Sequence, residues 1–358
     1  MEIFRKNTVY DFMGKRLAFL GLSSILIVAS IILLLTKGLT LGIDFAGGTI
    51  VQVKYEQEAP IDKIRDTLKN TKYGNSTITK FGSDDEIVIR ITGSSSDLTN
   101  DIADEMRVIL ETTGNYEIRK VDMVGAKVGG ELREKGMMAL GLSLVMILIY
   151  LSFRFEWRFA LASILGLVHD VIIAMGFISL FSIEVNLDIL AAILTLLGYS
   201  INDTIIVFDR IREGLHTTKE NDLKLIINQS VSKTLSRTTL TSLTTLFTVA
   251  TLLFFGGEII YGFSFTLFVG IIIGTYSSIF IASVFLFQLR FSVEDFRAKD
   301  AAKLVRQREK EKLRSMYEQG TVWFFEINLN RFLYLGKGFI ALPFFYCLLY
   351  NLIFVWIF

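Results

Sequence analysis

The chain has almost no proline and only one cysteine. Two prolines in 358 residues, Pro60 and Pro343, fall far below the usual ~5% and suit long uninterrupted helices. A single cysteine, Cys347, excludes an intramolecular disulfide, and with only two histidines beside it there is too little for a structural zinc site. Net charge is also nearly absent. The 37 basic and 36 acidic residues leave +1, so nothing global points to nucleic acid, and what matters is where the basic residues fall. Charged residues make up only 20% of the chain. Hydrophobic residues take their place, at 52% with a mean hydropathy of +0.50. That composition excludes disorder and predicts a polytopic α-helical membrane protein.

A spanning helix needs ~20 mostly apolar residues. Six runs qualify: Leu17 to Thr36, Gly136 to Phe153, Phe159 to Phe181, Ile189 to Phe208, Leu240 to Phe255 and Phe263 to Leu289. Phe339 to Phe358 is a possible seventh. The first run is longer than the ~7–15 apolar residues of a signal peptide and leads into Thr36-Lys37-Gly38, so it reads as an uncleaved span. Basic residues mark one side. Arg154 and Arg158 follow span two; Arg210, Arg212, Lys219, Lys224 and Lys233 follow span four; Arg290 and a run ending near Arg314 follow span six. The opposite loops, Ser182 to Asp188 and Gly256 to Gly262, carry only Glu184, Asp188 and Glu258 as charges. The positive-inside rule then places the amino terminus in the cytoplasm.

Residues 37 to 135 are the one long connection, and they read as a folded extracytoplasmic domain. Thr49 to Tyr55 alternates Val51, Val53 and Tyr55 with Gln52 and Lys54, as a half-buried strand does. Pro60 opens a helix carrying Ile61, Ile64 and Leu68. Strands Ser76 to Phe81 and Glu86 to Ile91 follow, joined by a turn over 82–85. A helix from Leu98 to Leu110 and a strand from Tyr116 to Val124 complete a ferredoxin-like α+β order. Gly47-Gly48 and Gly129-Gly130 read as turns or close backbone approaches. No nucleophile triad, paired carboxylates or phosphate-binding glycine loop stands out here. The expectation is a binding or leverage domain in a protein that is not an enzyme and needs no cofactor or metal.

Ionisable residues inside hydrocarbon cost several kcal/mol unless paired or hydrated, which makes them functional candidates. His169 and Asp170 lie about ten residues into span three, ~15 Å by helix rise and so near the midplane. For these two, a structural role stands beside proton traffic. Asp203 lies in span four, with Thr195, Tyr199 and Asn202 stacked along one stripe leading to it. Arg237 opens span five, followed at the same spacing by Thr241, Thr244 and Thr248, whose hydroxyls can bond either the backbone or a facing helix. Two polar stripes at similar depth invite pairing. Burial favours a protonated carboxyl and a nearby guanidinium favours the ionised one, which is the physics of a relay with a movable counter-ion. The plainer alternatives are that Arg237 snorkels to the interface and that Asp203 holds two helices together. Gly270 and Gly274, with Ser277 and Ser278, read as a close helix-packing face.

Four segments resemble the SecF family of bacterial protein-export subunits. They are Gly198-Tyr-Ser-Ile-Asn-Asp-Thr-Ile-Ile-Val-Phe-Asp-Arg-Ile-Arg-Glu213, Leu41-Gly-Ile-Asp-Phe-Ala-Gly-Gly-Thr49, Val168-His-Asp170 and Ser236-Arg-Thr-Thr-Leu-Thr-Ser-Leu-Thr-Thr245. Gly270 to Ala282 resembles the sixth-span pattern, so the likeness covers residues 1 to about 320. It implies a partner, SecD, homologous and also six-span, and a likeness of the pair to resistance-nodulation-division transporters. It further implies work beside the SecYEG channel in the inner membrane, where proton flow moves periplasmic domains to promote preprotein translocation after the motor SecA has begun it. Asp203 and Arg237 occupy the positions of the family's proton pathway, and SecD supplies a further aspartate. Two rivals are a small-molecule or lipid transporter subunit on the same bundle and a purely structural assembly factor. One departure stands out: Trp323 to Phe358 extends past the usual end of the family near Val322. This aromatic tail suits an extra span, a docking element for SecD or the channel, or a non-native extension.

Overall fold

The computed structural model describes residues 8–81, 83–92 and 102–318. Helix α1 (Arg16–Thr36) leads through a short α2 (Ile43–Ala46) into β1 (Gly48–Tyr55), α3 (Ile61–Lys69), β2 (Thr77–Phe81), β3 (Ser83–Thr92), α4 (Ile102–Leu110) and β4 (Tyr116–Val124). Then come α5 (Ala126–Arg154), α6 (Trp157–Leu180), α7 (Leu187–Thr217), α8 (Leu223–Phe255) and α9 (Glu258–Tyr276). A π-helical turn (Ser277–Ile281) joins α9 to α10 (Ala282–Gln288). Among the described residues, six helical spans are long and apolar enough to cross a membrane: α1, α5, α6, α7, α8 and the α9–α10 run. The remaining helix, α11 (Val293–Glu318), belongs to a separate unit and is strongly charged along its length. The proposed seventh span and the rest of the tail, 323–358, lie outside the described residues.

Several helices outrun their apolar stretches. Helix α5 begins ten residues before Gly136, α7 continues to Thr217, and α8 starts at Leu223 rather than Leu240. Hydropathy sees only the ~30 Å within hydrocarbon. Backbone hydrogen bonding carries the helix on into water wherever one face stays covered, as Ile211, Leu215, Ile226 and Ile227 are.

Between α1 and α5 the order strand, helix, strand, strand, helix, strand follows the sequence expectation. The strands lie β2–β3–β1–β4, and every neighbouring pair is antiparallel. Alternation does the folding. Val51, Val53 and Tyr55 of β1 and Ile87 and Ile89 of β3 point to one face, where Ile64 and Leu68 of α3 and Ile102, Met106 and Leu110 of α4 cover them. The turn read over 82–85 is tighter in the structure. Phe81 pairs with Ser83, and Asp84 and Asp85 stand within β3. They are held there by Lys80, 2.7 Å from Asp84, and Lys54, 3.3 Å from Asp85. Cross-strand ion pairs let acidic residues continue a strand that composition alone would end.

The segment from Thr40 to Gly48 joins domain to bundle. Gly42 N–H donates to Val185 O and Val185 N–H to Thr40 O, forming a parallel bridge onto the loop between α6 and α7. Asp44 accepts from Leu187 N–H and so caps the start of α7. Gly48 sits where a Cβ would lie 2.2 Å from Ile91 O, and at Gly129 of α5 a Cβ would lie 3.0 Å from Gly47 N. Both are close backbone approaches. Gly130, by contrast, faces open space. Elsewhere the domain touches the same end of the bundle through Lys80 N–H on Glu258 (2.8 Å) and Arg90 beside Glu184 (3.7 Å).

The basic loops gather at the other end. Arg154 bridges both oxygens of Asp209, Arg212 donates to Arg154 O, and Arg158 donates to Arg290 O. The chain before α1 is strapped here too. Asn228 of α8 accepts from Phe12 and Met13 N–H and donates to Asp11, whose carboxyl also accepts from Gly14 N–H. The Gly14 and Asn228 bonds hold the Asp11 carboxyl below its ordinary value.

Gly48→Ala should therefore destabilise the full chain by about 3 kcal/mol or more, because the opposing atom is backbone. Gly130→Ala should be neutral or stabilise by up to ~1 kcal/mol through helix propensity. Thermal unfolding in detergent reads both. Asn228→Ala should leave Met13 N–H unmet, at about 1–3 kcal/mol, and Phe12 N–H with only its 3.2 Å contact to Tyr10 O, seen as faster amide exchange over residues 10–14. Since Asp11 is held low, its contribution is complete above the ordinary aspartate value of 3.8 and is lost as acid carries the pH through the lower folded value.

Candidate functional site

Helix α6 runs through the middle of the bundle, so even residues adjacent in sequence and ~100° apart around it are enclosed. Asp170 is 0% and His169 2% exposed. Asp170 Oδ2 accepts from Ser200 of α7 at 2.6 Å and from Ser277 of the π turn at 2.8 Å. Its Oδ1 lies 2.9 Å from His169 Nδ1, and the other ring nitrogen, Nε2, lies 3.1 Å from Ser23 of α1. Ser23 donates to the Tyr276 hydroxyl at 3.2 Å, which donates to Phe19 O at 2.8 Å. Four spans thus meet on one carboxyl and one imidazole.

The packing that permits this comes from small residues. A Cβ at Gly270 would lie 2.7 Å from the Leu196 side chain, and one at Gly274 3.2 Å from Ser200 Cβ. The close-packing face read in the sequence is there. The π turn adds to it. At its start Ser277, still in the register of α9, reaches Asp170, while Ser278 bonds Gly274 O and accepts from Thr204.

Asp203 of α7 is 2% exposed, and its hydrogen-bond partner is Ser242 of α8, at 3.0 Å. Among the described residues it forms no ion pair, and Arg237 forms none either. The pairing that the two stripes invited is made by a serine, with Arg237 on the exposed side of α8. The stripes themselves face outward. Thr195, Asn202, Thr241, Thr244 and Thr248 are exposed, and Tyr199 is half-buried. Thr195, Thr241, Thr244 and Thr248 bond backbone carbonyls of their own helices. Tyr199 alone crosses between helices, donating to Thr245 at 3.3 Å. One turn along the inner face of α8 from Ser242, Thr238 is fully buried with its hydroxyl unpartnered.

The residues that sequence reasoning did not single out are serines and one tyrosine: Ser23, Ser200, Ser242 and Tyr276. Ser277 was read as packing alone. A signal exists in α1, where Ser23 and Ser30 are the buried residues of a mostly apolar helix. A hydroxyl in an apolar run is silent until its partner is known.

Six membrane-spanning helices among the described residues, with one folded α+β insertion and two buried acidic side chains, define a class of polytopic membrane protein. Residues 105–292 match the family described as protein export membrane protein SecD/SecF, C-terminal, and residues 32–59 match the SecD/SecF GG motif. The protein translocase subunit SecF of Helicobacter pylori is 46% identical over 327 residues, covering 90% of this chain and the whole of that protein. The SecF subunit of Calditerrivibrio nitroreducens is 47% identical over 296 residues, covering 81% of this chain and 97% of that one. The crystal structure of SecDF from Thermus, a translocon-associated membrane protein, superposes with a TM-score of 0.71 at 34% identity, covering 79% of this chain and 39% of that longer one. The chain belongs to the SecD/SecF family of protein-export membrane proteins, among the SecF subunits.

Ser200→Ala and Ser277→Ala should each destabilise the bundle by about 1–2 kcal/mol. That exceeds the ~0.6 kcal/mol of an ordinary intramembrane polar contact, because the acceptor is a carboxyl. The double variant should deviate from additivity, since both hydroxyls serve one oxygen. Thermal unfolding in detergent measures the cycle.

Proposed function

We propose that this chain is a proton-coupled transport subunit, not an enzyme, that works with SecD to promote preprotein translocation at the SecYEG channel after SecA has begun it. In this reading it sits in the bacterial inner membrane. The end carrying Arg154, Arg158, Arg210 and Arg212 faces the cytoplasm by the positive-inside rule, and residues 37–135 form the periplasmic domain.

The observation that carries the reading is Asp203, buried in α7 with one hydroxyl partner and no ion pair. An ionised carboxyl so placed is costly, so its charge must follow the arrival of a proton or a cation. Arg237 keeps its charge and is the cation at hand, acting by position. Each proton crossing the membrane delivers about 2.3 kcal/mol per 100 mV, enough to reverse a contact of this size. The His169–Asp170 pair is a second acidic centre on the adjoining helix and completes the proposed relay.

Partnership is supported by the outer face of α7 and α8. Thr195, Asn202, Arg237, Thr241, Thr244 and Thr248 present polar groups toward what would be lipid, and a second helix bundle suits such a face better. The SecDF chain it resembles is more than twice as long as the part matched. Movement of α7 or α9 would reach the domain through Asp44, Glu184 and Glu258.

Asp203→Asn and Arg237→Met should each assemble with SecD yet abolish the proton-dependent part of preprotein export in membrane vesicles, leaving the ATP-driven part. Full proton-dependent export by both variants would remove the relay. Loss of small-solute efflux with normal secretion would favour a small-molecule transporter instead.

A further inference from the structure

We propose that His169 and Asp170 form a one-proton site whose occupancy sets the direction of the hydrogen bonds between α1, α6 and α9. The reasoning is a count of protons. Tyr276 gives its only hydroxyl proton to Phe19 O, so the Ser23–Tyr276 contact must be made by the proton of Ser23. Ser23 then has none left for the imidazole. His169 Nε2, 3.1 Å from Ser23 Oγ, must carry its own proton and donate it.

The other side of the ring is equally constrained. With Nε2 protonated, a neutral imidazole presents a bare lone pair at Nδ1, which lies 2.9 Å from Asp170 Oδ1. Two lone pairs do not face each other at that distance in a buried site, so a proton lies between Nδ1 and Oδ1, on one or the other. The pair is then net neutral, as imidazolium with carboxylate or as imidazole with carboxylic acid.

Release of one proton leaves a single consistent arrangement. The Nε2 proton departs, the proton between ring and carboxyl stays on Nδ1, and Asp170 is ionised. The donors Ser200 and Ser277 on Oδ2 stabilise that charge. Bare Nε2 now accepts from Ser23, whose hydroxyl turns away from Tyr276. The link from α1 to α9 through Ser23 and Tyr276 is exchanged for a stronger donation from α1 to α6. Titratable neighbours are few. Tyr276 comes from α9, Asp203 lies three residues beyond Ser200 on α7 and is engaged by Ser242, and α1 and the π turn bring only hydroxyls to the pair. The role of this site in transport rests on the relay proposed above, but its proton chemistry does not require Asp203.

The chain has two histidines, His169 and His216, so nitrogen-15 labelling of histidine in the full-length protein in lipid bilayers gives two imidazoles, separated by His216→Gln. On the acid side both nitrogens of His169 should be in protonated or proton-sharing form. On the alkaline side Nε2 should move to the unprotonated range while Nδ1 stays protonated. Tyr276→Phe frees the Ser23 proton, and its His169 should adopt the Nδ1–H form at a pH where the unaltered chain keeps both nitrogens protonated. Asp203→Asn should leave this pattern in place even though it stops proton-dependent export. An Nε2 that is bare throughout, a spectrum that never changes with pH, or a Tyr276→Phe spectrum identical to that of the unaltered chain would overturn the proposal. Disappearance of the change in Asp203→Asn would also overturn it, by assigning the proton to that residue. Should Tyr276→Phe not fold, Ser23→Ala provides the second test: the tyrosine signal of Tyr276 should no longer follow His169 titration.

Discussion

A carboxyl group removed from water is among the costliest things a helix bundle can contain unless it is paired, and Asp170 stands at the centre of this one with His169 as its partner. The bundle answers with dipoles in place of a countercharge from a lysine or arginine. Hydroxyls from α7 and the π turn reach Oδ2, an imidazole from the same helix covers Oδ1, and α1 is drawn in through Ser23. The small residues of α9 follow from this. Gly274 faces Ser200 and Asp170 while Gly270 takes the Leu196 side chain, so α9 lies close against α7 where the hydroxyls reach the carboxyl. The π turn begins at Ser277, the residue that reaches Asp170.

Much of this architecture is legible in residue order. The apolar runs place six spans, the alternation of Val51, Val53 and Tyr55 places the strand they form, and the positions of Arg154, Arg210 and Glu184 divide the loops between the two ends. Asp203 and Asp170 stand out because charge in hydrocarbon is rare. What stays hidden is partnership across long separations. Ser242 is 39 positions from Asp203 and Ser23 is 146 from His169, and a serine in a helix has no periodicity or charge to announce it. The π turn is hidden for a similar reason, since one added residue per turn leaves the local pattern helical. Arg237 and Asp203 show how depth differs from contact: a long side chain can face outward from the same depth, while the shorter Ser242 reaches the carboxyl.

The extramembrane domain meets the bundle at residues that sequence reading treated as turn-formers or bystanders. Asp44 lies between two glycine positions, Glu184 and Glu258 read as loop charges, and Lys80 belongs to an edge strand whose backbone N–H is otherwise free to find a partner. Together they tie the sheet to the ends of α7 and α9 by polar contacts, beside an apolar seam in which Phe45, with Leu39 and Leu41, packs on Ile178, Val185, Ile189 and Ile193 of the bundle.

The cap that Asp44 places on α7 has a mechanical meaning. Leu187 and Asp203 are sixteen residues apart on one unbroken helix, about 24 Å by its rise. A helix of that length hardly compresses, so it behaves as a push-rod: an axial slip at the acidic end appears almost undiminished at the glycine-lined collar between Thr40 and Gly48. The collar, clasped to the rod by a carboxylate and held to the neighbouring loop by a two-bond bridge, would turn a sliding stroke into a tilt of the sheet above it.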